Sequence, residues 1–162
     1  MGDGNTSRVY LGRDLEDSKN KVAIKVFKQE FFKNNENAVH AVENEISILL
    51  DLDHPRIYKV ISYGTDGVIT KPSGRQIQNL VYIIVDYVPG GLLFDVCKLA
   101  GAMGEDAGRY FMNQITDVLS YLHDQKETAH RDLKLENILL TKDLQLVLAD
   151  FGFATYRNIG HL

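Results

Sequence analysis

Cysteine is nearly missing from this 162-residue chain, where Cys97 stands alone. One cysteine cannot close an intrachain disulfide, and the scarcity points to a reducing compartment, cytoplasmic or nuclear. Five histidines and one cysteine show no zinc-ligand spacing, which argues against a structural zinc module. Long hydrophobic runs are missing too. The longest, Leu80 to Val85, falls far short of the roughly 20 apolar residues that a membrane-spanning helix needs. The opening residues Met1-Gly2-Asp3-Gly4 are polar and lack the apolar centre of a secretory signal. Positive charge is not in excess: a net charge of −4 and a pI near 5.7 argue against nucleic acid or an anionic membrane as the main partner. No internal repeat or low-complexity stretch appears.

What is present is an ordinary globular composition, 44% apolar and 25% charged, long enough for one or two small domains. Arg8 to Gly12 and Lys21 to Phe27 read as strands, the second largely apolar on both faces. Asn34-Asn35-Glu36-Asn37 offers helix caps, and Val42, Ile46, Leu49 and Leu50 then recur at helical spacing over Ala38 to Leu50. His54-Pro55 ends that helix. A strand is expected over Ile57 to Tyr63, a long surface turn over the polar, Gly- and Pro-containing Gly64 to Asn79, and a buried strand over Leu80 to Tyr87. Pro89-Gly90-Gly91 marks a linker. Beyond it the pattern turns helical, with Ala107, Phe111, Ile115, Val118 and Leu122 along one apolar stripe. Ile138 to Leu140 and Leu144 to Leu148 read as a short hairpin around Lys142-Asp143. The expected organisation is a small sheet with one helix over 1–88, a hinge near Asp86 to Gly91, and a partial helical lobe over 89–162. A ligand site is expected in the cleft between them.

The chemistry concentrates in His130-Arg131-Asp132-Leu133-Lys134-Leu135-Glu136-Asn137 and in Asp150-Phe151-Gly152. Phosphoryl transfer asks little covalent chemistry of a protein. It needs oxygen ligands for magnesium, a carboxylate near the nucleophile's proton and a cation on the moving phosphate. Asn137 and Asp150 are the metal-ligand candidates, Asp132 the base candidate and Lys134 the cation. Isolated Asp and Asn residues are ordinarily turn formers, but here their order and spacing fit one metal-bound phosphate. Lys25 lies inside an apolar strand and needs a partner, which Glu45 on the following helix can supply. Alone, that pair could equally be a structural ion pair. Gly2-Asp3-Gly4-Asn5-Thr6-Ser7-Arg8-Val9 could let backbone N–H groups approach phosphates, or could be a plain glycine turn.

Together these residues resemble the eukaryotic protein kinases, of serine/threonine type. Val22-Ala23-Ile24-Lys25 matches the lysine strand, Glu45 the helix glutamate, and His130 to Asn137 with Asp150-Phe151-Gly152 the catalytic and metal loops. The implied fold is α+β and bilobal, with a small antiparallel sheet lobe and an incomplete helical lobe. The implied activity is transfer of the γ-phosphoryl group of Mg-ATP to a serine or threonine hydroxyl of a protein substrate. The cofactors would be ATP and Mg2+. Lys134 is the residue that resembles the serine/threonine type. The wording around Val88-Pro89-Gly90-Gly91 and Asp150 to Ala154 resembles the calcium/calmodulin-dependent and energy-sensing groups.

The resemblance also assigns residues that their own chemistry would not. Gly2 and Gly4 belong to the phosphate loop, with Ser7 and Thr6 departing from its third glycine and its aromatic tip. Asp86 and Val88 would meet adenine through the backbone, and Val9, Ala23 and Leu139 would sandwich the ring. Val85 would leave the back of that pocket open. His130 and Phe151 would pack internally, and Arg131 would bind an activation-loop phosphate. Leu92 departs from the acid of many basophilic kinases, whereas Glu136 keeps a basic substrate possible. His40, His54, His123 and His161 are expected as surface or packing residues without evident partners. Because the resemblance implies further helices beyond Leu162, the chain reads as a fragment, and the Ala107–Leu122 stripe is expected to be exposed. Two alternatives follow: a nucleotide-binding or interaction module without transfer activity, and a small-molecule kinase, which the Val-Ala-Ile-Lys and His-Arg-Asp-Leu-Lys wording disfavours.

Overall fold

Apolar alternation and glycine-rich turns build the first half of the chain into a sheet. The computed structural model describes residues 2–13, 15–17, 20–33 and 35–157. His161 and Asn34 lie outside them. Strands β1 (Gly2–Asp3), β2 (Ser7–Arg13), β3 (Lys21–Phe27), β4 (Val60–Thr70) and β5 (Gln76–Asp86) form one antiparallel sheet in the order β1-β2-β3-β5-β4. Helices α1 (Gln29–Lys33) and α2 (Ala38–Asp51) follow β3. Asn35 caps the approach to α2, its Oδ1 accepting the Asn37 N–H at 3.0 Å and its carbonyl the Ala38 N–H.

The chain divides into two compact units. The first holds 1–46 and 59–87, and the second holds 47–58 and 88–162. In the second, α3 (Leu93–Ala100) and α4 (Glu105–Ser120) precede a π-helical turn at Tyr121–Gln125. Two small antiparallel ribbons complete it: β6 (Thr128–Ala129) with β9 (Thr155–Tyr156), and β7 (Ile138–Leu140) with β8 (Leu146–Leu148). Ile138, Leu140, Leu146 and Leu148 are almost fully buried, each burial contributing about 1.5–3 kcal/mol.

The structure corrects four expectations. The segment Gly64 to Asn79 is no long surface turn, because β4 runs on to Thr70 and β5 begins at Gln76. Its glycines admit the strand instead of breaking it: a Cβ on Gly67 would sit 2.7 Å from the Tyr82 ring. The expected strand at Ile57 is a single parallel bridge to Leu148, with β4 starting only at Val60. Most of the apolar stripe is not exposed either: Phe111, Ile115, Val118 and Leu122 are buried and α4 packs on β8, while Ala107 at its start is exposed. His40 and His54 do have neighbours that the sequence did not suggest: His40 Nδ1 lies 3.4 Å from Glu43 Oε2 on the exposed side of α2, and His54 is packed. Its ring stacks on Tyr121 at 4.7 Å between centroids, and its Nε2 lies 3.7 Å from Asp117. The π turn, closed by the Lys126 N–H on the Tyr121 carbonyl, accompanies that packing, and Tyr121 Oη accepts the Asp53 N–H at 2.8 Å.

Candidate active site

In the first unit, strand register decides which side chains share a face. Val9 stands opposite Lys25, and Ala23 opposite Val85, so these four project to one side of the sheet. Glu45 on α2 is 2% exposed and accepts a hydrogen bond from Lys25 Nζ at 2.6 Å. A carboxylate this buried requires such a cation, and the pairing in turn fixes the ammonium at the end of a four-carbon stem. Gly2 pairs with Val9, the Gly4 N–H bonds the Ser7 carbonyl, and Lys28 Nζ donates to the Gly4 carbonyl at 2.6 Å, closing the glycine hairpin. Asp86 ends β5 opposite Val22, its Oδ2 accepting the Lys59 N–H at 3.2 Å. Its side chain is therefore turned to its own sheet.

In the second unit, a buried histidine organises the candidate catalytic stretch. His130 Nε2 donates to the Ala149 carbonyl at 3.0 Å, Nδ1 accepts the Asp132 N–H at 3.3 Å, and the ring meets Phe151 edge-on at 4.8 Å. This pair of bonds selects the neutral tautomer protonated on Nε2. Burial pushes the His130 pKa down, in the same direction. One carboxylate oxygen of Asp132, Oδ2, then collects two donors: Lys134 Nζ at 2.7 Å and Asn137 Nδ2 at 2.8 Å. Lys134 is the main reason that the Asp132 carboxyl sits below the usual range, with Asn137 assisting, while Asp132 raises the pKa of Lys134. Asn137 Nδ2 also donates to the Asp132 carbonyl at 2.8 Å, which leaves its Oδ1 outside these bonds. Arg131, at φ +63°, spends its Nε on the Phe153 carbonyl at 2.6 Å.

The β7–β8 hairpin brings the two metal-ligand candidates together. Ile138 stands opposite Leu148, and the Ala149 N–H bonds the Asn137 carbonyl at 2.8 Å, so Asn137 and Asp150 flank the open end of one ribbon. Two side-chain oxygens suit magnesium held jointly with phosphate, which keeps waters and takes only one or two protein carboxylates. They do not make an all-protein cage. No cluster of three or more His, Cys, Asp or Glu with metal-binding geometry occurs among the described residues. Leu139 is half-buried, opposite Val147 and bridged to Leu92. Val88 is half-buried in the stretch after β5.

The profile of the protein kinase domain matches residues 1–161. The chain belongs to that family. This kinase-family chain is 33% identical over 157 residues to Aurora kinase A-A of Xenopus laevis, covering 96% of the chain and 35% of that protein. It is 34% identical over 162 residues to the probable serine/threonine-protein kinase MARK-B of Dictyostelium discoideum, covering the whole chain and 21% of that protein. With mouse Aurora kinase B the identity is 32% over 157 residues, covering 96% of the chain and 41% of that protein. The chain thus spans well under half the length of these curated relatives. Within the kinase-family fold, three participants escaped the sequence reading: Lys28 at the glycine hairpin, Gln114 behind β8 and Tyr58 beside Asp150. Each is joined to its partner through folding alone, and no sequence spacing announces it.

Proposed function

We propose that this chain carries the ATP-binding and phosphoryl-transfer residues of a serine/threonine protein kinase. The observation that carries the reading is the single Asp132 oxygen holding both Lys134 and Asn137. That arrangement keeps the carboxylate ionised and directed, as acceptance of a substrate hydroxyl's proton requires. Lys134, half-exposed at the same point, would offset charge on the γ-phosphoryl group as it moves. Asn137 and Asp150 would hold Mg2+, whose role is to neutralise and orient the phosphates. Lys25, fixed by Glu45, would hold the α- and β-phosphates, and Gly2 and Gly4 would offer backbone N–H groups to them. Val9, Ala23 and Leu139 would line the adenine, with the backbones of Asp86 and Val88 as its polar partners. The substrate would be a protein serine or threonine hydroxyl, and the single cysteine supports a cytoplasmic or nuclear setting. No helix among the described residues is long and apolar enough to cross a membrane.

The test is transfer of labelled γ-phosphate from Mg-ATP to a serine/threonine peptide library, measured beside calorimetric ATP binding. Asp132→Asn should retain ATP binding and lose about 10²–10⁴-fold in turnover. Wild-type turnover in that variant would refute the reading. ATP binding with no transfer by the wild-type chain would favour the alternative, a nucleotide-binding module.

A further inference from the structure

We infer that Tyr58 is a positioning residue for Asp150, acting from a short segment, Arg56 to Tyr58, that runs along β8 and sets its exit. The inference rests on the kinase reading only for the role of Asp150 itself. Three attachments in sequence make the case. At the start of β8, the Leu146 N–H donates to Gln114 Oε1 at 2.9 Å, and the same oxygen receives the Arg56 guanidinium. Arg56 also reaches Gln145 Oε1 at 3.2 Å and Asp117 Oδ2 at 3.0 Å. At the end of β8, the Leu148 N–H donates to the Arg56 carbonyl at 2.8 Å, and Ile57 bridges Leu148. Beyond it, the Asp150 N–H donates to Tyr58 Oη at 3.3 Å.

The φ of Asp150 is +60°, left-handed backbone that Asp adopts more readily than most residues but still at a cost, and a hydrogen bond on its N–H helps to hold it there. The next residue is held as well. Phe151 is fully buried with its ring edge-on to Tyr58 at 6.4 Å and to His130 at 4.8 Å. The backbone dihedrals of Asp150 set the direction of its Cα–Cβ bond, from which the carboxylate extends, so the Tyr58 hydroxyl helps to place the proposed metal ligand without touching the metal. Such outer partners typically change metal affinity about 10–100-fold.

Tyr58→Phe isolates the effect, since it keeps the ring against Phe151 and removes only Oη. In the full chain, Mn2+ binding in the presence of a non-hydrolysable ATP analogue, read by electron paramagnetic resonance of free Mn2+, should weaken about 10-fold. Exchange of the Asp150 amide proton should accelerate. In an Asp150→Asn background the same substitution should cause no further loss of Mn2+ affinity, because the two act as one unit. Unchanged Mn2+ affinity in Tyr58→Phe, or a loss that adds fully to that of Asp150→Asn, overturns the inference while leaving the kinase reading intact. Unchanged Mn2+ affinity in Asp150→Asn itself removes the metal role of Asp150, and this inference with it.

Discussion

Single residues in this chain carry charge into places where water does not follow. Glu45 is the sharpest case, at 2% exposure with Lys25 at 2.6 Å. Lys25→Met should destabilise the fold by about 3–5 kcal/mol, because it strands a buried carboxylate, and adding Glu45→Leu should restore most of that loss. Urea unfolding of the single and double variants checks this; equal losses in both would show that a stranded carboxylate is not what destabilises Lys25→Met. His130 makes the opposite use of burial. Its depressed pKa means that the unfolded chain takes up a proton near the ordinary value of about 6.5 while the folded chain does not. Stability should therefore be whole above that pH and fall as the pH drops through it, with His54, also lowered by burial, adding in the same direction. Protonation at Nδ1 would also break the bond from the Asp132 N–H. Unfolding free energies between pH 7.5 and 5.5 should slope less in His130→Phe than in the wild type. The sequence marked Lys25, Glu45 and Asp132 because charge in an apolar or repeated-motif setting is visible along a chain. Tyr58 was invisible, since nothing in His54-Pro55-Arg56-Ile57-Tyr58 indicates that a hydroxyl will meet a backbone amide beyond residue 148.

At the scale of elements, the β7–β8 hairpin is the part on which the proposed chemistry of the second unit depends. Its two strands bury nearly every side chain, and its open end carries Asn137 and Asp150. Gly90 presses against it: the Gly90 N–H bonds the Leu140 carbonyl at 2.7 Å, and a Cβ there would lie 2.4 Å from that same oxygen. Gly90→Ala should cost about 1–3 kcal/mol by forcing β7 away, measurable as a shift in the denaturation midpoint with an unchanged slope. An unshifted midpoint would mean that the hairpin yields freely. The helix α4 and the lysine strand were readable from their periodicity, and this hairpin from two short apolar runs around Lys142-Asp143, although β8 begins at Leu146 and not at Leu144. The β4–β5 hairpin was not, because Gly64, Gly67, Pro72 and Gly74 carry turn chemistry that pairing overrides along most of its length. Gly64 and Gly67 lie under Tyr82, a neighbour that only strand register supplies.

For the molecule as a whole, nucleotide binding should be legible in global stability. At a concentration of Mg-ATP about 100 times its Kd, the folded chain should gain about 2.7 kcal/mol, and Lys25→Met should show little gain at the same concentration. Thermal unfolding with and without nucleotide measures it, and an equal gain in both would remove Lys25 from the site. Motif order, through its resemblance to the protein kinases, pointed to the family and the α+β class, and residue type and spacing marked the polar residues. Tertiary structure alone decided that one oxygen of Asp132 serves two donors, that His130 is held as one neutral tautomer, and that Tyr58 and Gln114 attend β8. Those facts depend on distances between residues far apart in the chain, and hydrogen bonding is sensitive to tenths of an ångström that no sequence pattern encodes.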